Sequence, residues 1–221
     1  MSLSFPTSPT VGQIYQTWQW NGSAWAPTGT AAPVSGQKVL LAQQTVTTPV
    51  ASVVFTAAGM AGGGLSNRAF DEFQLDCINY GVDTNNIAPY LQVSTDGGTT
   101  WDASATYTNV FATITTSAIN PGGGNFTWWQ LYAGLYFAAG ASNVAVTSTV
   151  RFWRPWDTTS VTTAQWKTGG TIYTPAAYIL EGAGSRPLSG TSSTAFTALR
   201  LILSAAGNYS RGTFKLWGIQ N

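Results

Sequence analysis

The stretch Ser94-Thr95-Asp96-Gly97-Gly98-Thr99-Thr100-Trp101 reads as a tight turn that closes a pair of strands. The short Asp96 side chain reaches backbone N–H groups of its own turn, and Gly97 and Gly98 accept positive φ without a side-chain penalty. Trp101 then supplies a hydrophobic foot beneath the hairpin. Leu91 and Val93 lead into the turn one residue apart, so the incoming arm has a core face and a wet face.

The same alternation recurs outward from this turn, beginning near Val39, and helical periodicity is hard to find. Phe73, Leu75 and Cys77 alternate with Glu72, Gln74 and Asp76. Val144, Val146, Val150 and Phe152 punctuate a later pair of arms, Leu199, Leu201 and Leu203 form another inward row, and Phe214, Leu216 and Gly218 close the chain. Gly62-Gly63-Gly64, Asn85-Asn86, Pro121-Gly122-Gly123-Gly124 and Gly169-Gly170 read as turns between strands. About eight to ten strands at this spacing fit an all-β fold, an antiparallel, jelly-roll-like β-sandwich over residues 39–221, better than a repeat array.

The segment Phe126 to Phe137 departs from simple amphipathicity, with one apolar face and a second that is aromatic yet polar-tipped. One face carries Trp129, Leu131, Ala133, Leu135 and Phe137; the other carries Trp128, Gln130, Tyr132, Gly134 and Tyr136. A strand buried on both sides gives such a run, which places the second face under another sheet or loop. A subunit interface or a glycan-contacting surface gives it equally, because Tyr and Trp bury area at low rotamer cost and keep a polar handle. Trp128, Tyr132 and Tyr136 are the candidate contact residues for those two readings.

Residues 1–25 hold a separate pattern, an Asn21-Gly22 pair between aromatic arms that carry Trp18, Trp20 and Trp25. Asn-Gly signals a two-residue type I′ hairpin, and an isolated hairpin of this size is marginal in water. Its tryptophans, with Phe5, therefore predict docking on another surface. Residues 26–38, rich in Pro, Gly, Ala and Thr, read as a linker.

Composition narrows the function classes. Charged residues are 8 % of the chain, against roughly 25 % in an ordinary soluble domain. Nine Lys+Arg and eight Asp+Glu leave a net charge of +1 with the basic residues far apart, so no footprint for nucleic acid or anionic lipid is present. Histidine is absent, which removes Ser-His-Asp and Cys-His machinery and imidazole zinc sites. Cys77 is the single cysteine, lies among alternating apolar residues, and reads as a buried, inert thiol. The longest apolar run, Leu131 to Ala141, is too short to span a bilayer.

A glycosidase needs two carboxyl groups roughly 5–10 Å apart. Glu72 and Asp76 share a strand face but stand about 13 Å apart along it, and Asp71 points the other way. Asp83, Asp96, Asp102, Asp157 and Glu181 read as solvated turn carboxylates. Asp96 and Asp102 make too thin a set for calcium, and the glycine clusters lack the Gly-Lys-Ser/Thr ending of a phosphate loop. No catalytic residues, metal ligands or cofactors are expected.

Ser-x-Asp-x-Gly-x-Thr-Trp resembles the Asp-box of sialidases and other β-rich proteins, here as Ser94, Asp96, Gly98, Thr100 and Trp101. Sialidase propellers carry several copies and a clustered set of arginines; one copy and scattered arginines point to a structural turn instead. Three further stretches resemble virion proteins of tailed bacteriophages. These are Pro6-Thr7-Ser8-Pro9-Thr10 with Gly12, Tyr15, Trp18, Trp20-Asn21-Gly22 and Ala24-Trp25; Phe70 to Leu75 with Leu91 to Trp101 and Tyr107; and Leu199-Arg200-Leu201 with Gly212 to Ile219. Trp217 stands where that pattern carries Tyr. The resemblance implies a non-enzymatic fibre, spike or tail-associated protein, homotrimeric, held to other virion proteins through its N-terminus and displayed toward host-surface polysaccharide. It implies assembly in the host cytoplasm and exposure on the released particle. A head-decoration or head-fibre protein and a free carbohydrate-binding lectin are the alternatives, and a hydrolase is the weakest of the readings.

Overall fold

The computed structural model describes residues 14–15, 18–20, 25–27, 36–84, 87–103, 107–115, 118–131, 146–171, 177–186 and 195–220. Near the N-terminus, β1 (Ile14–Tyr15), β2 (Trp18–Trp20) and β3 (Trp25–Pro27) form a small antiparallel sheet in that order. Trp20 pairs with Trp25, so four residues rather than the expected two separate the paired positions. Ala26 and Pro27 belong to β3 and not to the linker.

Twelve further strands build the sandwich. They are β4 (Lys38–Val46), β5 (Val53–Phe55), β6 (Glu72–Val82), β7 (Pro89–Ser94), β8 (Tyr107–Ile114) and β9 (Ile119–Phe126) in the first half. The second half supplies β10 (Trp129–Gln130), β11 (Val146–Trp153), β12 (Thr162–Thr171), β13 (Ala177–Arg186), β14 (Ala198–Leu203) and β15 (Tyr209–Ile219). One sheet has the order β10-β7-β14-β5, and the other β4-β15-β6-β11-β12-β13-β8-β9. All their pairings are antiparallel, and the two sheets pack face to face as the expected β-sandwich.

The pairing is nested. β4 pairs with β15, β5 with β14, β6 with β11 and β7 with β10, which is the connectivity of a jelly roll. The remaining four strands enter as two excursions, β8 and β9 after β7 and β12 and β13 after β11, and widen the large sheet on one side.

Alternation decides what faces inward. Phe73, Leu75 and Cys77 of β6, Val146, Val150 and Phe152 of β11, and Phe214 and Leu216 of β15 are buried. They meet Val53, Phe55, Leu91, Val93, Leu199 and Leu201 from the small sheet. Leu203 is only half-buried at the end of its row, and Val144 lies outside the described residues. After Ile78 the alternation breaks: Asn79 adopts φ 49° and the register against β11 and β15 shifts, the mark of a β-bulge. Ile78 faces outward in the ordinary alternation, Asn79 joins it on that side, and Tyr80 and Val82 return to the core.

The glycine clusters correct the turn readings. Gly62-Gly63-Gly64 falls in a short 3-10 helix, Ala61–Ser66, and Asn85-Asn86 lies outside the described residues. Gly169 and Gly170 are inside β12, opposite Ile179 and Tyr178, and Pro121 to Gly124 form the middle of β9. A Cβ on Gly122 would lie 2.3 Å from the Phe111 ring, and one on Gly123 would lie 2.6 Å from the Asn109 carbonyl oxygen. Glycine stands here because neighbouring strands fill the space a side chain would take. Pro121 is tolerated because β9 is an edge strand.

Rings roof two glycines of β13 in the same way. A Cβ on Gly182 would lie 2.3 Å from the buried Trp166 ring, and one on Gly184 would lie 2.3 Å from the Thr108 carbonyl oxygen and 3.0 Å from Trp129. Gly184→Ala meets backbone that cannot yield and is expected to lower unfolding free energy by about 1–3 kcal/mol, as overpacking does. Urea denaturation at fixed m-value measures it; an unchanged midpoint contradicts the packing.

Candidate binding surfaces

The Asp96 turn is tied internally. Its carboxylate accepts from the Thr100 backbone N–H at 2.8 and 3.0 Å, from Thr100 Oγ1 at 2.6 Å and from Ser94 Oγ at 2.7 Å. Gly97 and Gly98 take φ of 77° and 97°. The Thr100 hydroxyl and N–H, then Ser94, hold the exposed Asp96 carboxyl down at about 2. The box is docked by backbone: Asp102 N–H donates to the Val93 carbonyl, Thr197 N–H to the Ser94 carbonyl, and Gly97 N–H to Thr197 Oγ1.

Trp101 is half-buried and carries the Arg200 guanidinium over its ring at 4.6 Å. Arg200 donates through two nitrogens to Gln92 Oε1 at 3.0 and 2.7 Å. Beside this pair on the same strand face, Tyr90 and Trp128 stack with centroids 4.6 Å apart and planes 10° apart. The outer face of the small sheet is therefore an aromatic surface already occupied by its own guanidinium and amide. Trp128 lies on it, half-buried. Its neighbour Trp129 points the other way into the core, edge-on to Tyr107 at 5.1 Å, as the alternation predicts. Tyr132, Tyr136 and Phe5 lie outside the described residues. The backbones of Trp18, Trp20 and Trp25 lie in the small N-terminal sheet.

The carboxylates do not converge. Asp102 pairs with Arg186 where both side chains are nearly buried, and the Arg186 guanidinium lies 4.9 Å from the Phe196 ring. Asp96 and Asp102 thus serve separate contacts. Glu72 sits 3.5 Å from Arg151, while Asp76 accepts from Trp217 Nε1, Gln74 Nε2 and Thr149 Oγ1. Among the described residues no three of His, Cys, Asp and Glu are grouped to hold a metal ion. Cys77 is buried, and desolvation, then the Asp76 charge, pushes its thiol far up.

One surface was not foreseen from the sequence. The strand register aligns Leu40, Trp217, Gln74, Arg151, Gln165, Ala183, Val110 and Gly123 as one row across the outer face of the eight-stranded sheet. The row changes character along its length. It opens on Leu40 and Trp217, is polar from β6 to β12 through Gln74, Arg151 and Gln165, with Arg151 paired to Glu72, and is small and apolar from β13 to β9. At the change lies a groove of about 800 Å³, bounded by Arg151, Gln165 and Lys167 on one side and Val110, Ala112 and Pro121 on the other. An adjoining hollow of about 380 Å³ shares Val110, Gln165 and Ala183 with it and reaches Trp153.

The acid response follows from the turn carboxylates. Asp96 and Asp157 are both held at about 2, Asp157 by the Thr159 N–H and hydroxyl, and Asn208 lowers Asp83. Depressed carboxylates contribute stability above their unfolded pKa, near 4, and that contribution is lost as pH falls toward about 2. Asp96→Asn, which cannot ionise, is expected to unfold with a shallower loss of stability across that window than the parent. Thermal melts from neutral pH to pH 2 check the slope; parallel curves contradict the assignment.

Comparison with family models, with curated proteins and with solved structures gives no match for this chain. The functional reading accordingly rests on the residues and their arrangement.

Proposed function

We propose that this chain is a structural and adhesive component of a tailed-phage or phage-like particle, a short fibre, spike or tail-associated protein without catalytic activity. The supporting observation is a pairing of two units of different kind. A three-stranded sheet, Ile14 to Pro27, carries three tryptophans in a segment too short to bury them among themselves, and a jelly-roll sandwich follows it. In this reading the small sheet fastens the protein to the particle through Trp18, Trp20, Trp25 and Phe5. The sandwich projects from it, as a homotrimer, toward the host surface. The charge-poor composition and the absence of histidine agree with a role that requires binding area rather than proton transfer.

Anchoring through a few aromatics follows the hot-spot pattern, in which single truncations cost about 2 kcal/mol or more. Full-length chain carrying Trp18→Ala, Trp20→Ala and Trp25→Ala is expected to remain folded by circular dichroism and to drop out of assembled particles. Normal incorporation of this variant ends the anchoring reading. Light scattering of the parent protein is expected to report three copies; a stable monomer at micromolar concentration removes the trimer from the proposal.

A further inference from the structure

We infer that the trough along β13, on the outer face of the eight-stranded sheet, binds a neutral oligosaccharide laid parallel to that strand. The inference rests on the adhesive reading above and gives it a site. β13 is built for a depression: Glu181, Ala183 and Ser185 face outward, alternating with Gly182 and Gly184, which face the roofing rings inside. The strands on either side carry taller residues in the same rows, Gln165 and Lys167 on β12 and Val110 on β8. The strand length from Glu181 to Ser185 gives the trough about 13 Å.

Its chemistry is divided lengthwise. Ala183, Ala112 and Val110 make an apolar floor and one wall, with Val110 63 % exposed. Gln165, Thr163, Thr108 and Ser185 line the hollow with groups that both donate and accept hydrogen bonds. Trp153, half-buried at one end, offers an indole face. A pyranose ring presents the matching surfaces, a flat C–H face for apolar floor and indole and a rim of hydroxyls for amides and side-chain oxygens.

Charge and backbone select against other occupants. Arg151 is within 3.5 Å of Glu72 and Lys167 within 2.6 Å of Glu181, so each cation in the wall already has its anion, which favours a neutral ligand. β12, β13 and β8 are each hydrogen-bonded on both sides, which leaves no ladder groups in the trough for an added peptide strand. The only large apolar side chain strongly exposed among its described lining residues is Val110, too little for the aromatic core of a protein interface.

Titrating the full-length chain with maltotetraose, cellotetraose, mannotetraose and chitotetraose, beside an acidic oligogalacturonate, tests this by calorimetry or ligand-observed NMR. At least one neutral tetramer is expected to bind with a dissociation constant in the millimolar range or below. Ala183→Trp, which fills the trough from its exposed side, is expected to abolish binding with an unchanged circular dichroism spectrum. Trp153→Ala and Gln165→Ala are each expected to weaken it about tenfold. Binding that survives all three variants overturns the trough and leaves the adhesive reading intact. Binding of the acidic probe alone overturns the neutral class. No binding to any probe overturns the inference, while particle incorporation remains a separate measure of the virion reading. Self-association abolished by Ala183→Trp, without sugar binding, overturns it in favour of a second copy of the chain.

Discussion

The four-stranded sheet is half as wide as the eight-stranded sheet on which it packs, and much of the structure is arranged around covering the difference. A sheet face left open would expose Trp166, Tyr178 and Leu180, which are nearly fully buried. Single aromatic rings cover part of it where the small sheet ends. Trp129 lies against Gly184 and Tyr107, and Phe196 packs edge-on to Trp129 at 6.3 Å. A chain of buried hydroxyls runs beneath: Tyr80 to Ser148 at 2.8 Å, Ser148 to Thr168 at 2.8 Å, and Thr168 to the Leu131 carbonyl at 2.9 Å. Each link crosses to another strand or segment, so the packing fixes register as well as covering surface.

This constraint explains which parts of the fold the sequence discloses. Strands under the small sheet meet apolar residues inside and water outside, so Phe73, Leu75 and Cys77 or Phe214 and Leu216 announce themselves by alternation. Where a ring from the next strand provides the cover, the strand beneath must be glycine. Gly122 under Phe111 and Gly182 under Trp166 therefore carry no alternation at all. Pro121 to Gly124 and Gly169-Gly170 look like turns because their partners lie on other strands, and a glycine says nothing of what occupies the space above it.

The candidate surfaces divide in the same manner. The Asp96 turn is local, with every partner of its carboxylate within four residues, so its internal bonds are legible from eight letters. It leads, however, from β7 to β8 in the other sheet rather than closing a hairpin, and Trp101 lies under Arg200. The outer trough is not, since Trp153, Gln165, Ala183 and Val110 come from four strands and each is ordinary in its own neighbourhood. Only the register of β11, β12, β13 and β8 brings them onto one surface. The Arg200, Gln92 and Trp101 contact likewise joins residues about a hundred positions apart.

The position of β15 sets the order in which the domain can form. It lies between β4 and β6, hydrogen-bonded to both, although it comes from the far end of the described chain. Until residues 209–219 are inserted, those two strands have no common neighbour and the core rows of Phe214 and Leu216 stand empty. Closing so long a loop costs entropy before any contact repays it, which makes folding slow and cooperative rather than progressive. A growing chain therefore cannot complete the sandwich piecemeal on the ribosome. It must remain partly open until synthesis passes Ile219, and a nonsense change anywhere before Tyr209 leaves β4 without a partner in its sheet and one edge of β6 bare.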